Sequence, residues 1–416
     1  MVILSFLFAL SFGCKKENCP DQIVTQHQET KHKANYKVNI VPLNFALAIS
    51  HRYIMKSSTK KDYNKSRRNF IDSLVQKQVV DYYTINDTLG IPAMYVINYM
   101  DSGGYLILSA ELKHEPILAY AESGNLHQND VMPDGFSMWK NTTLENIYLI
   151  RNEQMDNTFP AKVGWIDLLN NYPDALNTLP DSAKSAINAF YKGDPNDPND
   201  PCNKATKTTS LIDPLLYTKW GQWYSFNESC PAGNGCDHCP TGCPATALAQ
   251  IIQYWAFPMN SYFNYHSMPL DSGNALVQEL MYDIGNMTGT DYQCYGSGTS
   301  SANTNTFLHN FGYVNSIYSI MSPDQQLPLI LANLSGGMPT ILSGNTSPNS
   351  DGHMWVCDGC NLSYFECYNI NLVFLHMNWG WNEHSKDKTS WVFWKPYRNS
   401  TYNFQYSNEI IYNITP

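Results

Sequence analysis

The chain has 416 residues, of which 43% are hydrophobic and 13% aromatic, enough to bury a large core spread over two domains. A net charge of -10 at pH 7 gives no reason to expect a nucleic-acid partner, which would call for a basic face. The sequence also has no apolar run long enough to span a bilayer.

Residues 1–14, MVILSFLFALSFGC, form a short apolar stretch that closes on small residues and Cys14, with Lys15, Lys16 and Glu17 directly after it. This resembles a bacterial lipoprotein signal whose lipid would sit on Cys14, the plain secretory signal being the simpler alternative. The expected location is therefore the bacterial cell envelope, anchored to a membrane through Cys14 or released. One departure is that no Lys or Arg precedes the apolar run. Residues 15–35 are polar and read as a flexible tether.

A first folded unit is expected over 36–192. It opens with a helical pattern at Phe45, Ala46, Ala48 and Ile49, and a second, basic-polar helix is predicted from Arg68 to Val80. The period then changes to that of strands. Residues 95–99 and 105–109 read as a hairpin whose turn carries Gly103 and Gly104, and Pro116 to Tyr120 as a third strand. Helical stretches follow at Leu144 to Met155 and Ser182 to Tyr191. Residues 193–210 include a Pro/Asp/Asn repeat with nothing to bury, a solvated linker open to proteolysis.

The unit over 211–416 holds the chemistry. From Pro244, the residues Leu248, Ile251, Ile252 and Trp255 make one apolar helical stripe, which places Cys243 at the N-cap. Unpaired N–H groups and the positive end of the helix dipole converge there, and a thiol in that place ionises more easily. Further helices are expected at Val277 to Ile284 and Thr304 to Phe311. The remainder is strand-rich, at 340–342, 354–357, 373–378, 391–394 and 409–413. The fold class is α+β, a central helix packed on an antiparallel sheet and preceded by an α+β domain.

A cysteine nucleophile needs a base and something to fix the base's ring. His353 follows a turn and opens an apolar strand. Asn378 ends another and can accept from an imidazole, with Trp379 and Trp381 beside it to exclude water. The backbone N–H of Cys243 and the amide of Gln222 are the candidate oxyanion donors. His266, His376 and His384 read as ordinary histidines.

These blocks, in order Trp220-Gly221-Gln222, Pro240-Thr241-Gly242-Cys243, Ala245 to Gln250, Gly352-His353, Asp358-Gly359 and Asn378-Trp379-Gly380-Trp381, resemble the streptopain family of papain-like cysteine peptidases. The resemblance extends to that family's propeptide through residues 95–98, 103–110 and 116–118, and covers about 40–415. It implies Cys243 as nucleophile and His353 as general base and acid. Gln222 would complete the oxyanion hole, Asn378 would orient His353, and Trp379 would pack against the pair. It also implies a zymogen whose own propeptide (36–192) blocks the groove until removed at the linker, and protein or peptide substrates. Three departures stand out: Pro244 after the cysteine, Cys360 after Asp-Gly, and Asn382-Glu383 where the family has Gly-Gly.

Eleven cysteines less Cys14, Cys19 and Cys243 leave eight, read as four disulfides in an exported protein. Cys236-x-x-Cys239 has the spacing of zinc ligands, but the oxidising compartment favours disulfides, and no metal or cofactor is predicted. Two rival functions share the scaffold: an inactive surface-binding lipoprotein, and a Cys-His acyl-transfer enzyme such as a peptidoglycan amidase or a transglutaminase.

Overall fold

The computed structural model describes residues 39–51, 77–130, 132, 134–155, 158–171, 175, 177, 207–258, 263–345, 352–366, 369–381, 389–394 and 406–416. The leader, Cys14, the tether, most of the second basic helix, the helix at 182–191 and the Pro/Asp/Asn repeat lie outside these residues. Among the described residues no helix is long and apolar enough to cross a membrane.

The first unit begins with helix α1 (Leu43–Ser50) and continues with strands β1 (Val79–Asn86), β2 (Pro92–Tyr99), β3 (Tyr105–Ser109) and β4 (Ile117–Ala121). Two helices follow, α2 (Asp134–Arg151) and α3 (Thr158–Asn171). The hairpin and the third strand lie where expected. Val79 and Val80 open a strand instead of ending a helix, because β-branched and aromatic residues here pair with β2. Helix α2 starts ten residues before the apolar run at Leu144 and ends at Arg151 rather than Met155.

The second unit carries β5 (Lys207–Ile212), α4 (Cys243–Trp255), α5 (Ala275–Thr288), α6 (Ser301–Asn310), β6 (Ile317–Ile320) and α7 (Pro323–Ser335). Strands β7 (Thr340–Asn345), β8 (Gly352–Phe365), β9 (Ile370–Asn378), β10 (Thr389–Trp394) and β11 (Tyr406–Tyr412) complete it. The expected linker is shorter at its far end, since Lys207–Ile212 pairs antiparallel with Cys360–Phe365 of β8. Helix α7, unanticipated because Pro328 lies inside it, starts with a capping box at Ser322 and Gln325.

All described strands join one antiparallel sheet in the order β1-β2-β3-β4-β10-β9-β8-β7-β11-β6, with β5 on β8. The link between the two units is the pairing of Tyr120 and Ala119 in β4 with Trp391 and Val392 in β10. The first unit is therefore distinct along the chain but not in space. One core contains Phe136, Trp139 and Ile147 of α2 together with Ile330 and Leu334 of α7 and Trp355, Leu375 and Trp379 of the second unit. A second core surrounds α4 with α5, α6 and the other face of the sheet. Nine consecutive residues, Pro244 to Ile252, are buried, so α4 is enclosed all round, not only along one stripe.

Candidate active site

The N-cap of α4 is Gly242, and Cys243 is its first helical residue with Pro244 second. This shifts the expected N-cap assignment by one position. Gly242 has φ 88°, and a Cβ there would lie 2.8 Å from the Ser297 carbonyl oxygen, so only glycine fits. Cys243 keeps the electrostatic advantage of the first turn, whose N–H groups have no intrahelical acceptor. It is half-buried and takes no part in a disulfide.

His353 stands near the start of β8 and is buried. Its Nε2 lies 2.9 Å from the backbone carbonyl oxygen of Trp379. A carbonyl only accepts, so Nε2 carries a hydrogen and Nδ1 is the basic nitrogen of the neutral ring. The ring stacks on Trp355, with centroids 5.9 Å apart and planes 15° apart, and meets Trp381 edge-on at 6.0 Å. Antiparallel pairing of β8 with β9, with Val356 opposite Asn378, brings the His353 end of one strand to the Trp379 end of the other.

The two ends of the site meet through a glycine. Thr246, one turn after Cys243, would lie 3.2 Å from a Cβ on Gly380, the residue after the one whose carbonyl holds His353. Helix α4 also packs directly on β8.

Asn378 does not orient His353. Its Nδ2 donates to the Thr218 carbonyl at 2.7 Å and to Gln250 Oε1 at 2.9 Å. Its Oδ1 accepts from Gln250 Nε2 at 3.3 Å and from the Gly380 N–H at 3.2 Å. Asn378 therefore shapes the turn that presents the Trp379 carbonyl, and the orienting atom is backbone. Trp379 does pack at the site: its ring lies 5.3 Å from that of Trp355, and its Nε1 donates to Ser390 Oγ at 2.8 Å.

Gln222 is buried, and its carbonyl accepts from the Thr241 N–H at 3.0 Å, which ties its loop to the one preceding Cys243.

Gln250 closes one of the blocks named above but had no role assigned to it. Seven residues after Cys243, it lies on the same helix face, fully buried, and its Oε1 also accepts from the Trp220 N–H at 3.3 Å. One amide thus joins the Gln222 loop, the nucleophile's helix and the Asn378 turn. The signal was present, a glutamine between Ala249 and Ile251 in the longest buried run of the helix. Gln250→Ala and Asn378→Ala should each cost about 1–3 kcal/mol by orphaning a buried amide. The double variant should fall short of the sum by about 0.5–3 kcal/mol in urea unfolding. Turnover should drop with KM little changed, because neither residue is placed to touch substrate.

His376 and Asp358 form a second buried pair, Nδ1 to Oδ1 at 2.6 Å, and Asp358 Oδ2 accepts from the Leu216 N–H at 3.0 Å. The pair fastens the start of the second unit to the sheet, consistent with the ordinary reading of His376.

Cys236 and Cys294 form a disulfide, while Cys230, Cys239, Cys357 and Cys360 are not in disulfides. The expectation of four disulfides fails at these positions. Cys357 and Cys360 both lie in the core on β8 as free cysteines. Cys202 and Cys367 lie outside the described residues.

A first-turn cysteine, an imidazole fixed by a carbonyl and a helical lobe packed on an antiparallel sheet define a papain-like cysteine peptidase behind an attached α+β domain. Residues 220–270 and 259–387 match the profile of the Peptidase C10 family, and residues 38–147 that of the Spi protease inhibitor. The second unit belongs to the Peptidase C10 family, and the first is its inhibitory propeptide domain. Streptopain of Streptococcus pyogenes is 25% identical over 73% of this chain and 74% of its own length. The thiol protease/hemagglutinin PrtT of Porphyromonas gingivalis is 24% identical over 69% of this chain and 32% of its own. A Prevotella intermedia prointerpain A fragment shares the fold, with a TM-score of 0.52 at 19% identity over 82% of this chain and 99% of the fragment.

Proposed function

We propose an exported cysteine endopeptidase, made as a zymogen, that cleaves protein substrates through a thioester on Cys243. The observation that carries this is the close approach of Thr246 to Gly380, where an added Cβ would lie 3.2 Å from the threonine methyl. It brings the first turn of the nucleophile's helix to the turn whose carbonyl holds His353. In this reading the Cys243 thiol gives its proton to Nδ1 of His353, and the thiolate attacks the peptide carbonyl carbon. The Cys243 N–H and the Gln222 amide stabilise the oxyanion. The imidazolium protonates the leaving amine as the C–N bond breaks. His353 then takes a proton from water, whose oxygen attacks the thioester and releases the acid and the Cys243 thiol.

The described form is latent in this reading. Phe136 of α2 meets Trp379 edge-on at 6.2 Å, and His353 is 2% exposed. Helix α2 must leave before a peptide can reach the imidazole, and cleavage between 193 and 206 would permit that. A Cβ on Gly135 would lie 2.6 Å from the Trp379 ring and 3.0 Å from that of Trp355. Gly135→Val should therefore loosen the propeptide and speed maturation several-fold, read as the half-time of first-domain removal on gels.

An epoxide or iodoacetamide warhead tests the nucleophile. It should label the processed enzyme at Cys243, with casein cleavage lost in proportion; labelling elsewhere with activity lost would refute the assignment. The lipid anchor belongs to the same reading, supported by the apolar residues before Gly13 and Cys14. Cys14→Ser should abolish fatty-acid incorporation into the chain.

A further inference from the structure

A second set of sulfurs lies just ahead of the nucleophile. The Sγ atoms of Cys236, Cys239 and Cys294 are all within 4.8 Å of one another. Cys239 is completely buried, while Cys236 and Cys294 are half-buried. Two chain segments meet here: the loop leading to Cys243, and the stretch after α5 that ends at Ser297, against which Gly242 packs.

Two sets of distances describe the cluster, and the first suits a cation. Cys236 Sγ and Cys239 Sγ are 3.7 Å apart. A tetrahedral zinc with Zn–S bonds of about 2.3 Å requires S···S edges of about 3.8 Å. The second set comes from Gly233, whose absent Cβ would lie 2.5 Å from Cys294 Sγ, 2.8 Å from Cys239 Sγ and 3.1 Å from Cys236 Sγ. Any other residue at 233 would collide with these sulfurs, so the glycine is what lets the three cysteines converge. The backbone is shaped for this convergence: Gly233 and Cys236 form a bridge around Asn234 and Gly235, with Gly235 at φ 111°.

We propose that Cys236, Cys239 and Cys294 form a thiolate site for a zinc ion when the Cys236–Cys294 bond is reduced. A dithiol reductant delivers two electrons and two protons to that bond, which yields two thiols. Zinc then displaces three protons, one from each of the three thiols, and becomes bound to three thiolates. The fourth position faces the half-exposed side and takes a solvent oxygen. Cys230 is not a ligand: burial pushes its thiol up to about 12, and the Tyr292 hydroxyl bonds to it. Burial also raises the Cys239 pKa, so without a cation that group stays a thiol. In either form, disulfide or zinc, the cluster clamps the Ser297 stretch to the loop of the nucleophile. This site is independent of the peptidase reading.

The full chain carrying Cys243→Ala, which keeps the nucleophile out of the measurement, is the material for the test. Reduced with a dithiol, loaded with zinc and desalted, it should retain one zinc per chain by atomic emission. Cobalt in place of zinc should give sulfur-to-metal charge-transfer absorption and the visible bands of a tetrahedral ion. Adding Cys239→Ser should remove the stoichiometric zinc, whereas Cys357→Ser should leave it. As a check that needs no further variant, zinc should protect Cys236 and Cys294, the half-buried members, from iodoacetamide in a mass map of the reduced, folded chain. The proposal is overturned if the reduced, folded chain retains no zinc, if Cys239→Ser retains it all, or if zinc leaves alkylation of Cys236 and Cys294 unchanged.

Discussion

Full-length protein carrying Cys243→Ala should remain uncleaved on purification and lose casein hydrolysis by at least about 10⁴-fold. The sulfur is the only atom in the site able to form the acyl intermediate, so neither the oxyanion donors nor His353 can substitute for it. Stability should change by about 1 kcal/mol or less, because the half-buried side chain loses a single heavy atom. Added wild-type enzyme should cleave the variant in trans between 193 and 206, which separates loss of chemistry from loss of a cleavable linker. First-domain removal in the purified variant alone would show that another protease matures the chain. Residual casein cleavage at the wild-type rate would remove Cys243 from the mechanism.

The other large effect is expected in the propeptide. Arg151, the last residue of α2, is fully buried. Its Nε donates to Glu111 Oε2 at 3.0 Å, its Nη1 to Asp87 Oδ2 at 2.8 Å and its Nη2 to the Pro92 carbonyl at 2.6 Å. One guanidinium thereby holds the end of the helix against the β1–β2 turn and the segment after β3. Arg151→Met preserves much of the apolar stem but strands two buried carboxylates, a loss of about 3–5 kcal/mol. The urea midpoint of the propeptide should fall accordingly, and latency should weaken with it.

The loss should depend on pH. Burial raises the Glu111 pKa above its ordinary 4.5, and the Arg151 hydrogen bond and charge pull it back. A carboxyl whose folded pKa is raised favours folding when protonated. Its contribution is fully present below the unfolded value and is lost as pH rises through the folded value. Removing Arg151 raises the folded value further and widens that window. The deficit of the variant relative to wild type should therefore be largest near neutrality and shrink toward pH 4.5. An equal deficit at both pH values would show that Glu111 does not carry the effect.

How much of this was legible in the chain differs from feature to feature. The hairpin at 95–109 and the helix after Cys243 were readable because their apolar residues repeat at the period of the element they form. The strand at Val79–Asn86 was not, since half of it is exposed and its pairing with β2 supplies what its own pattern lacks. The strand at Lys207–Ile212 is exposed at five of its six residues and polar at the first four, and only the edge of β8 makes it a strand. Among the site residues, Cys243, His353, Gln222 and Trp379 were named from their blocks. The atom that holds His353 was not, because a carbonyl belongs to every residue and only strand register chooses one.

The sequence by itself determined which side chains are available: one cysteine at a helix start, one histidine opening an apolar strand, and a glycine wherever backbone or sulfur must come close. Those are properties of local periodicity and residue chemistry, and they survive without knowledge of the fold. Tertiary structure alone decided which groups meet. It turned Asn378 toward Gln250, set the Trp379 carbonyl against His353, and joined Cys236 to Cys294 across 58 residues. It also merged the propeptide's strands into the peptidase's sheet. The reason is that hydrogen bonds and sulfur contacts are short-ranged, while the distances along the chain that they close are set by register and packing.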